Sequence, residues 1–209
     1  MLKNDASARD RLLAAANELF YEEGVHTVGI DRVIERAGVA KASLYSTFGS
    51  KEELVRAYLE MRASIRAERI SKFIAPLETP RAKILGVFDA LAEIANEPTF
   101  RGCAFVNASA EGPRSETRIR QACTTSRGWT RGLFKELAKA FGAKDSEVLG
   151  RRLALLYDGA VIGAGMESDP GVVREARAMA EIFLDLHASP PATKKKGVKR
   201  SGERSAVAR

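Results

Sequence analysis

The sequence predicts an all-α chain, in which a three-helix N-terminal unit carrying a helix-turn-helix precedes a larger helical unit. Three observations predict it. Apolar residues recur at helical spacing almost from end to end. No alternating stretch of any length reads as a strand. Glycines and prolines divide the periodic pattern into nine segments of helix length.

The first segment holds Leu12, Leu13, Ala16, Leu19 and Phe20 and closes at Gly24, where a helix C-terminus favours glycine. Ile30, Val33, Ile34 and Ala37 follow at i, i+3, i+4 and i+7, and Gly38 stops them. Ala40, Leu44 and Phe48 lie within one arc of the next helix and are expected to face the core. A long helix is expected from Ser50, an N-cap followed by Glu53 as in a capping box, to about Ile74. Pro76 and Pro80 break the chain. Five more helices are expected at Arg81–Asn96, Cys103–Ala110, Ser115–Phe141, Ser146–Glu167 and Gly171–His187, separated by Pro98, Gly112-Pro113, Gly142 and Pro170-Gly171. Pro190-Pro191 ends the pattern, and the Lys-rich remainder has too few apolar residues to fold. The expected organisation is a helix-turn-helix unit at 5–52, with the motif itself at 29–48. A second unit follows at 53–189, then a basic, disordered tail at 190–209.

The length of 209 residues permits one mid-sized domain or two small ones with a real core. Lys and Arg number 34 against 27 Asp and Glu, a net charge of +7. Seven of those bases (Lys194, Lys195, Lys196, Lys199, Arg200, Arg204 and Arg209) lie in the tail beside the single acid Glu203, which leaves the rest of the chain at +1. The basic balance therefore describes the tail, and by itself does not make the folded body an anion binder.

Several function classes drop out. The two histidines, His26 and His187, are far apart, so a His-rich metal site is not available, and no cofactor is expected. Cys103 and Cys123 make neither a CxxC nor a disulfide framework. The start Met1-Leu2-Lys3-Asn4-Asp5 lacks an apolar signal core, which reads as cytoplasmic. The best membrane-span candidate, Leu153–Met166, is short and interrupted by Asp158, so no membrane partner is expected. There is no Walker loop, GxSxG or GxGxxG; Gly163-Ala164-Gly165 is only a fragment of the last, inside an apolar helical run.

The strongest signal lies between Gly29 and Phe48, where two short amphipathic segments are joined by Gly38-Val39-Ala40. The outer arc of the second segment carries Ala42, Tyr45 and Ser46, flanked by Lys41, Ser43 and Thr47. Between Gly38 and Lys51 there are two lysines and no acid. A helix entering the major groove wants small, polar and basic residues of this kind. Lys41 can reach phosphate or a guanine edge, Ala42 a thymine methyl, and Ser43, Tyr45, Ser46 and Thr47 phosphates or bases. Lys51 adds charge to helix N-terminal amides already suited to phosphate. On spacing alone, a pair of helices that merely pack together remains an equal alternative.

The stretch Gly24 to Leu54, GVHTVGIDRVIERAGVAKASLYSTFGSKEEL, resembles the DNA-binding domain of tetracycline-repressor-type (TetR-family) transcription regulators. AGVAKASLY, the following Phe48 and SKEEL carry the resemblance, and ARDRLLAAANELFYEEG is similar to that family's first helix. It covers roughly Asp5 to Leu59. There are departures. The first turn of the second helix reads Val28-Gly29-Ile30 where many members carry Thr or Ser, so the phosphate contact passes to backbone amides, Thr27 or Arg32. Thr47 and Ser46 stand where larger rings are common, which makes the outer face smaller.

The resemblance implies a ligand-responsive regulator, in the main a repressor, that binds a palindromic site on double-stranded operator DNA as a homodimer. It implies a C-terminal ligand-binding and dimerisation domain whose last two helices form a four-helix bundle with the partner. Gly159, Ala160, Gly163 and Ala164 would let a helix approach closely, and Met179 and Phe183 belong to a broad apolar stripe on the last helix. Burial within one subunit explains the same pattern. For a small-molecule effector, the candidate pocket residues are Phe88, Phe105, Trp129, Phe134 and Tyr157, with Asn107 as a polar handle, although aromatics at such spacing also build cores. Cys103 joins them, following Arg101-Gly102 at an expected helix N-terminus, where dipole and guanidinium would favour a thiolate; a small buried residue is the alternative. A helical enzyme or carrier using the second unit's cavity, and nonspecific nucleic-acid binding by the tail, are the competing readings.

Overall fold

The computed structural model describes residues 7–111 and 117–187. The expectations for residues 5 and 6, for the Gly112-Pro113 break and the helix start at Ser115, and for the tail lie outside the described residues. Among those described, nine helices follow one another. They are α1 (Ala8–Glu23), α2 (Ile30–Ala37), α3 (Lys41–Phe48), α4 (Lys51–Ile74), α5 (Pro80–Ala95), α6 (Ala104–Glu111), α7 (Thr117–Phe141), α8 (Ser146–Glu167) and α9 (Gly171–His187).

Side-chain caps start several of these helices, and Pro80, read as a break, is the first residue of α5. Ser7 accepts from the Asp10 amide at 3.2 Å, Thr79 from Ala82 at 3.1 Å, and Asp145 from Val148 at 2.9 Å. Each satisfies a donor that has no partner inside its helix. Gly38 ends α2 in the left-handed region (φ 61°, ψ 44°), which a side chain would strain. Ser50 caps α4 by accepting from the Glu53 amide at 3.2 Å. The Glu53 carboxylate departs from the capping-box expectation: it pairs with Arg56 at 2.8 Å and with Arg118 at the start of α7.

Two apolar cores share α4. The first gathers Leu12, Leu19 and Phe20 of α1, Val33 of α2, Leu44 of α3 and Leu54, Tyr58 and Leu59 of α4. It continues past the helix-turn-helix into Phe105 and Ala108 of α6 and Ile119 of α7. Phe20 meets Tyr58 edge-on with centroids 5.7 Å apart. The second core takes Ile70 and Ile74 from the far end of α4 and packs them with α5, the last turns of α7, α8 and α9. One rigid helix thus connects the N-terminal unit to the centre of the C-terminal one.

Ala40 corrects the sequence reading. It does not face the core but is the exposed N-cap of α3, with extended backbone (φ −72°, ψ 148°), so the helical wheel does not apply to it. Val39 packs against the core in its place. Leu44 is fully buried as expected, and Phe48 is half-buried beneath the Arg9 guanidinium, 5.6 Å from the ring centroid.

Candidate DNA interface and ligand cavity

The helix-turn-helix is built from α2 and α3 and pinned by α1. Arg11 donates to the Gly38 carbonyl at 3.2 Å, holding the turn from behind. Arg32 makes a two-point pair with Glu23, at 2.6 and 2.9 Å, and Arg36 pairs with Glu18. The Arg32 hydrogen bond holds the Glu23 carboxyl below its ordinary range. Arg32 is thus engaged between α1 and α2, and a phosphate would have to compete with Glu23 for it.

Leu44 alone in α3 is fully buried, which leaves the remaining side chains for other partners. Lys41, Ala42, Tyr45, Ser46 and Thr47 are exposed, and Ser43 is half-buried. Tyr45 is 48% exposed. Lys41 pairs with Asp31 of α2 at 2.9 Å, and that hydrogen bond raises its pKa. The Ser46 and Thr47 hydroxyls both donate to the Ser43 carbonyl, at 3.1 and 2.6 Å, so they offer lone pairs outward unless they rotate. Thr27 is exposed in the turn before α2, and Lys51 is half-buried in the first turn of α4.

A cavity of about 350 Å³ lies between the two cores. Its wall takes Tyr21 from α1, Arg62, Arg66 and Arg69 from α4, Leu91 and Ile94 from α5, the first turn of α6, and Tyr157, Asp158 and Val161 from α8. Gly165 of the GAG fragment helps to shape it. A Cβ on Gly165 would stand 2.8 Å from the Gly102 Cα, so the bare backbone of α8 lets the Gly102-Cys103 segment close down on it.

Of the expected pocket residues, Cys103, Phe105 and Tyr157 line the cavity. Phe88 and Phe134 do not: they are fully buried in the second core, with centroids 5.6 Å apart, and each also packs on Tyr157. Asn107 is not in the wall either, because its amide donates to the Arg101 carbonyl at 3.1 Å. Trp129 stands outside it, packed on the second core with the Arg66 guanidinium 5.7 Å from its ring. Burial pushes Tyr157 up to about 12 and Cys123 up to about 11; Cys123 also donates to the Phe105 carbonyl at 3.4 Å. Burial raises the Asp158 carboxyl against the pull of Arg127, its ion-pair partner at 2.9 Å.

The sequence reading missed the arginines. Arg62, Arg66 and Arg69 stand at i, i+4 and i+7, one face of α4, and that spacing was the available signal. The α1 wall was missed as well. The Tyr21 hydroxyl donates to the Gly102 carbonyl at 3.0 Å and accepts from the Arg101 amide at 2.9 Å. A helix of the N-terminal unit is thereby tied to the segment that opens α6.

The last two helices present an apolar face to solvent. Leu155, Ile162 and Met166 of α8 are exposed, at 57, 38 and 82%, and Gly159 lies in the same stripe with open space above it. Met179, Ile182 and Leu186 form the matching stripe on α9, with Leu186 75% exposed. Phe183 is half-buried against its own core. A Cβ on Gly163 would lie 2.8 Å from Val172, so its small size serves the α8–α9 contact within one chain. Among the described residues no helix is long and apolar enough to cross a membrane, and no His, Cys, Asp and Glu group is placed to hold a metal.

Comparison with known proteins agrees with this geometry. Residues 12–58 match the family model of bacterial regulatory proteins, tetR family. The fold superposes with a TM-score of 0.81 on SCO4454, a TetR-family transcriptional regulator from Streptomyces coelicolor, at 32% identity, covering 87% of this chain and 96% of that one. The HTH-type transcriptional regulator BetI of Rhizobium meliloti is 26% identical over 183 residues, 86% of this chain and 88% of BetI. The HTH-type transcriptional activator FasR of Mycolicibacterium smegmatis is 48% identical over 52 residues, only 25% of this chain and 24% of that one. A helix-turn-helix with an exposed polar face, an all-helical second unit and a match over 87% of the chain at 32% identity together give one conclusion: the chain belongs to the TetR family of DNA-binding transcription regulators and is not an enzyme.

Proposed function

We propose that the chain is a homodimeric repressor of the cytoplasm that binds a palindromic operator and is released when a small molecule fills the cavity between its cores. The observation that carries this reading is the shared wall: the same cavity is lined by Tyr21 of α1, in the DNA-binding unit, and by Tyr157 of α8, in the second unit. A ligand between them would make different contacts as α1 moves relative to α8, which is the differential affinity that allostery requires.

The DNA contacts are assigned to Lys41, Ala42, Ser43, Tyr45, Ser46 and Thr47 on α3, with Thr27, Arg32 and Lys51 reaching the backbone. The exposed stripes of α8 and α9 support a second copy of the chain as the partner, because contiguous apolar surface of this kind marks association sites. Two α3 helices related by a two-fold axis would read half-sites about one helical turn apart, or a multiple of it.

The test is a mobility shift on the region upstream of the protein's own gene, with excess random competitor DNA, alongside sedimentation of the free protein. A retarded band that survives competitor and a dimer in sedimentation are expected. Equal affinity for random DNA, or a monomer throughout, would overturn the reading.

A further inference from the structure

The charges around the cavity are unevenly partnered. Three carboxylates in its wall have cations of their own: Glu18 pairs with Arg36, Glu97 with Arg69 at 2.5 Å, and Asp158 with Arg127 at 2.9 Å. Glu22 is at the exposed rim. Arg62 and Arg66 are different. Arg62 donates only to the neutral Asn17 side chain, at 3.4 Å, and stacks on Tyr21. Arg66 donates to the Ser126 carbonyl at 3.1 Å and to its hydroxyl at 2.8 Å. Its Nε–H is buried with no acceptor. Arg66 acts on Asp158 only through its field, and among the described residues neither Arg62 nor Arg66 forms an ion pair with a carboxylate.

We infer that the cavity takes a small organic anion, an apolar body bearing a carboxylate that sits between Arg62 and Arg66. This rests on reading the cavity as the effector site. The two guanidiniums stand one helical turn apart, so one carboxylate can accept from both, and a charged acceptor strengthens each bond. The rings of Phe105 and Trp129, with the Arg66 guanidinium 5.2 and 5.7 Å from their centroids, hold that guanidinium in place, so less freedom is lost on binding. The rest of the wall, Ile65, Leu91, Ile94, Phe100, Val106 and Val161, is apolar and suits an alkyl or aryl body. A volume of about 350 Å³ is at the small end of ligand pockets, which excludes long acyl chains and large polycyclic compounds.

Matched probe sets decide it. Octanoate, phenylacetate and 4-isopropylbenzoate, each with its amide and its amine, are titrated calorimetrically into the full chain. At least one carboxylate is expected to bind, about tenfold or more tighter than its amide, with the amine weaker still. Arg66→Gln and Arg62→Gln should each lower carboxylate affinity about tenfold and move amide affinity far less. Melting curves check that both variants fold; if Arg66→Gln does not, the Arg62 variant and the wild-type amide comparison still decide. An amide that binds as tightly as its carboxylate, a preferred amine, or arginine variants without effect would overturn the anion while leaving the cavity a ligand site. No binding by any probe would overturn both the anion and the effector reading.

Discussion

The Arg62 guanidinium lies over the ring of Tyr21, its central carbon 3.7 Å from the centroid. Both residues line the cavity, one from α4 and the other from the helix that pins the helix-turn-helix. The Tyr21 hydroxyl is also bonded on both sides, to the Arg101 amide and the Gly102 carbonyl. An anion drawn to Arg62 would therefore act on the contact through which α1 meets the α5–α6 segment. Tyr21→Phe keeps the ring and deletes both bonds. Thermal or urea unfolding should show a loss of about 1 kcal/mol, and the response of DNA binding to a cavity ligand should shrink. A variant with unaltered ligand response would show that the hydroxyl is not on the route.

DNA reading is assigned to the outer face of α3. Tyr45→Ala should weaken operator binding by about 1–3 kcal/mol while leaving melting temperature and dimer intact. Lys41→Ala should weaken binding in the same direction, and it frees Asp31 to repel phosphate. Leu44→Ala is the contrast, since truncating a fully buried leucine should cost about 2–5 kcal/mol of stability. Competition binding with operator and random DNA separates these outcomes; unchanged operator affinity in both outer-face variants contradicts the assignment.

The quaternary prediction uses residues that the structure exposes. Leu155→Glu or Ile182→Glu should move the protein towards monomer in sedimentation with helical content preserved. Gly163→Leu should instead lower the subunit's own stability, because the new side chain meets Val172. A dimer that persists in both glutamate variants would place the interface elsewhere.

Cys123 is expected to be chemically quiet. With its thiol pushed up to about 11 by burial, the thiolate fraction at pH 8 is small, and alkylation in a Cys103→Ser background should run roughly a hundredfold or more slower than for a free thiol. The folded-state pKa lies above the reference value of 9.0, so the unfolded chain ionises first. The stability linked to this thiol is complete below pH 9.0 and is lost as pH rises towards about 11. Unfolding followed across that range, wild type against Cys123→Ser, reads the difference. Fast labelling at neutral pH would contradict the burial argument.

Much of this was legible in the sequence because punctuation is local. α8 and α9 run over the expected residues between Gly142 and Pro170-Gly171 and beyond, and the Gly38 stop needs only one left-handed backbone. Ala40 was misread because a wheel assumes helical backbone, and a cap residue does not have it. Phe88, Phe134 and Tyr157 each lie on an apolar face of their own helix, yet of the three only Tyr157 reaches the cavity, since spacing fixes a face and not the depth behind it. The arginine stripe of α4 was hidden by counting charge per helix, which averages opposite faces. Gly163 and Gly159 look alike in sequence; one meets the chain's own Val172 and the other open space, a difference only tertiary packing creates.

The basic segment from Lys194 to Arg209 is proposed to add affinity without selectivity. Deleting it should make the slope of log K against log salt shallower, by about 0.9 for each phosphate that the segment neutralises. Operator preference over random DNA should survive. Loss of preference with an unchanged slope would reverse the division of labour between tail and α3.

The central claim is that occupancy of the cavity is communicated to the DNA-binding face. Fluorescence anisotropy of labelled upstream DNA, with the full chain and the tightest-binding carboxylate at saturation, tests it most directly. Operator affinity should fall at least about tenfold when the cavity is filled, a coupling of about 1.4 kcal/mol, and Arg66→Gln should raise the ligand concentration needed for that fall about tenfold. An operator affinity that stays the same with the cavity demonstrably occupied would contradict it.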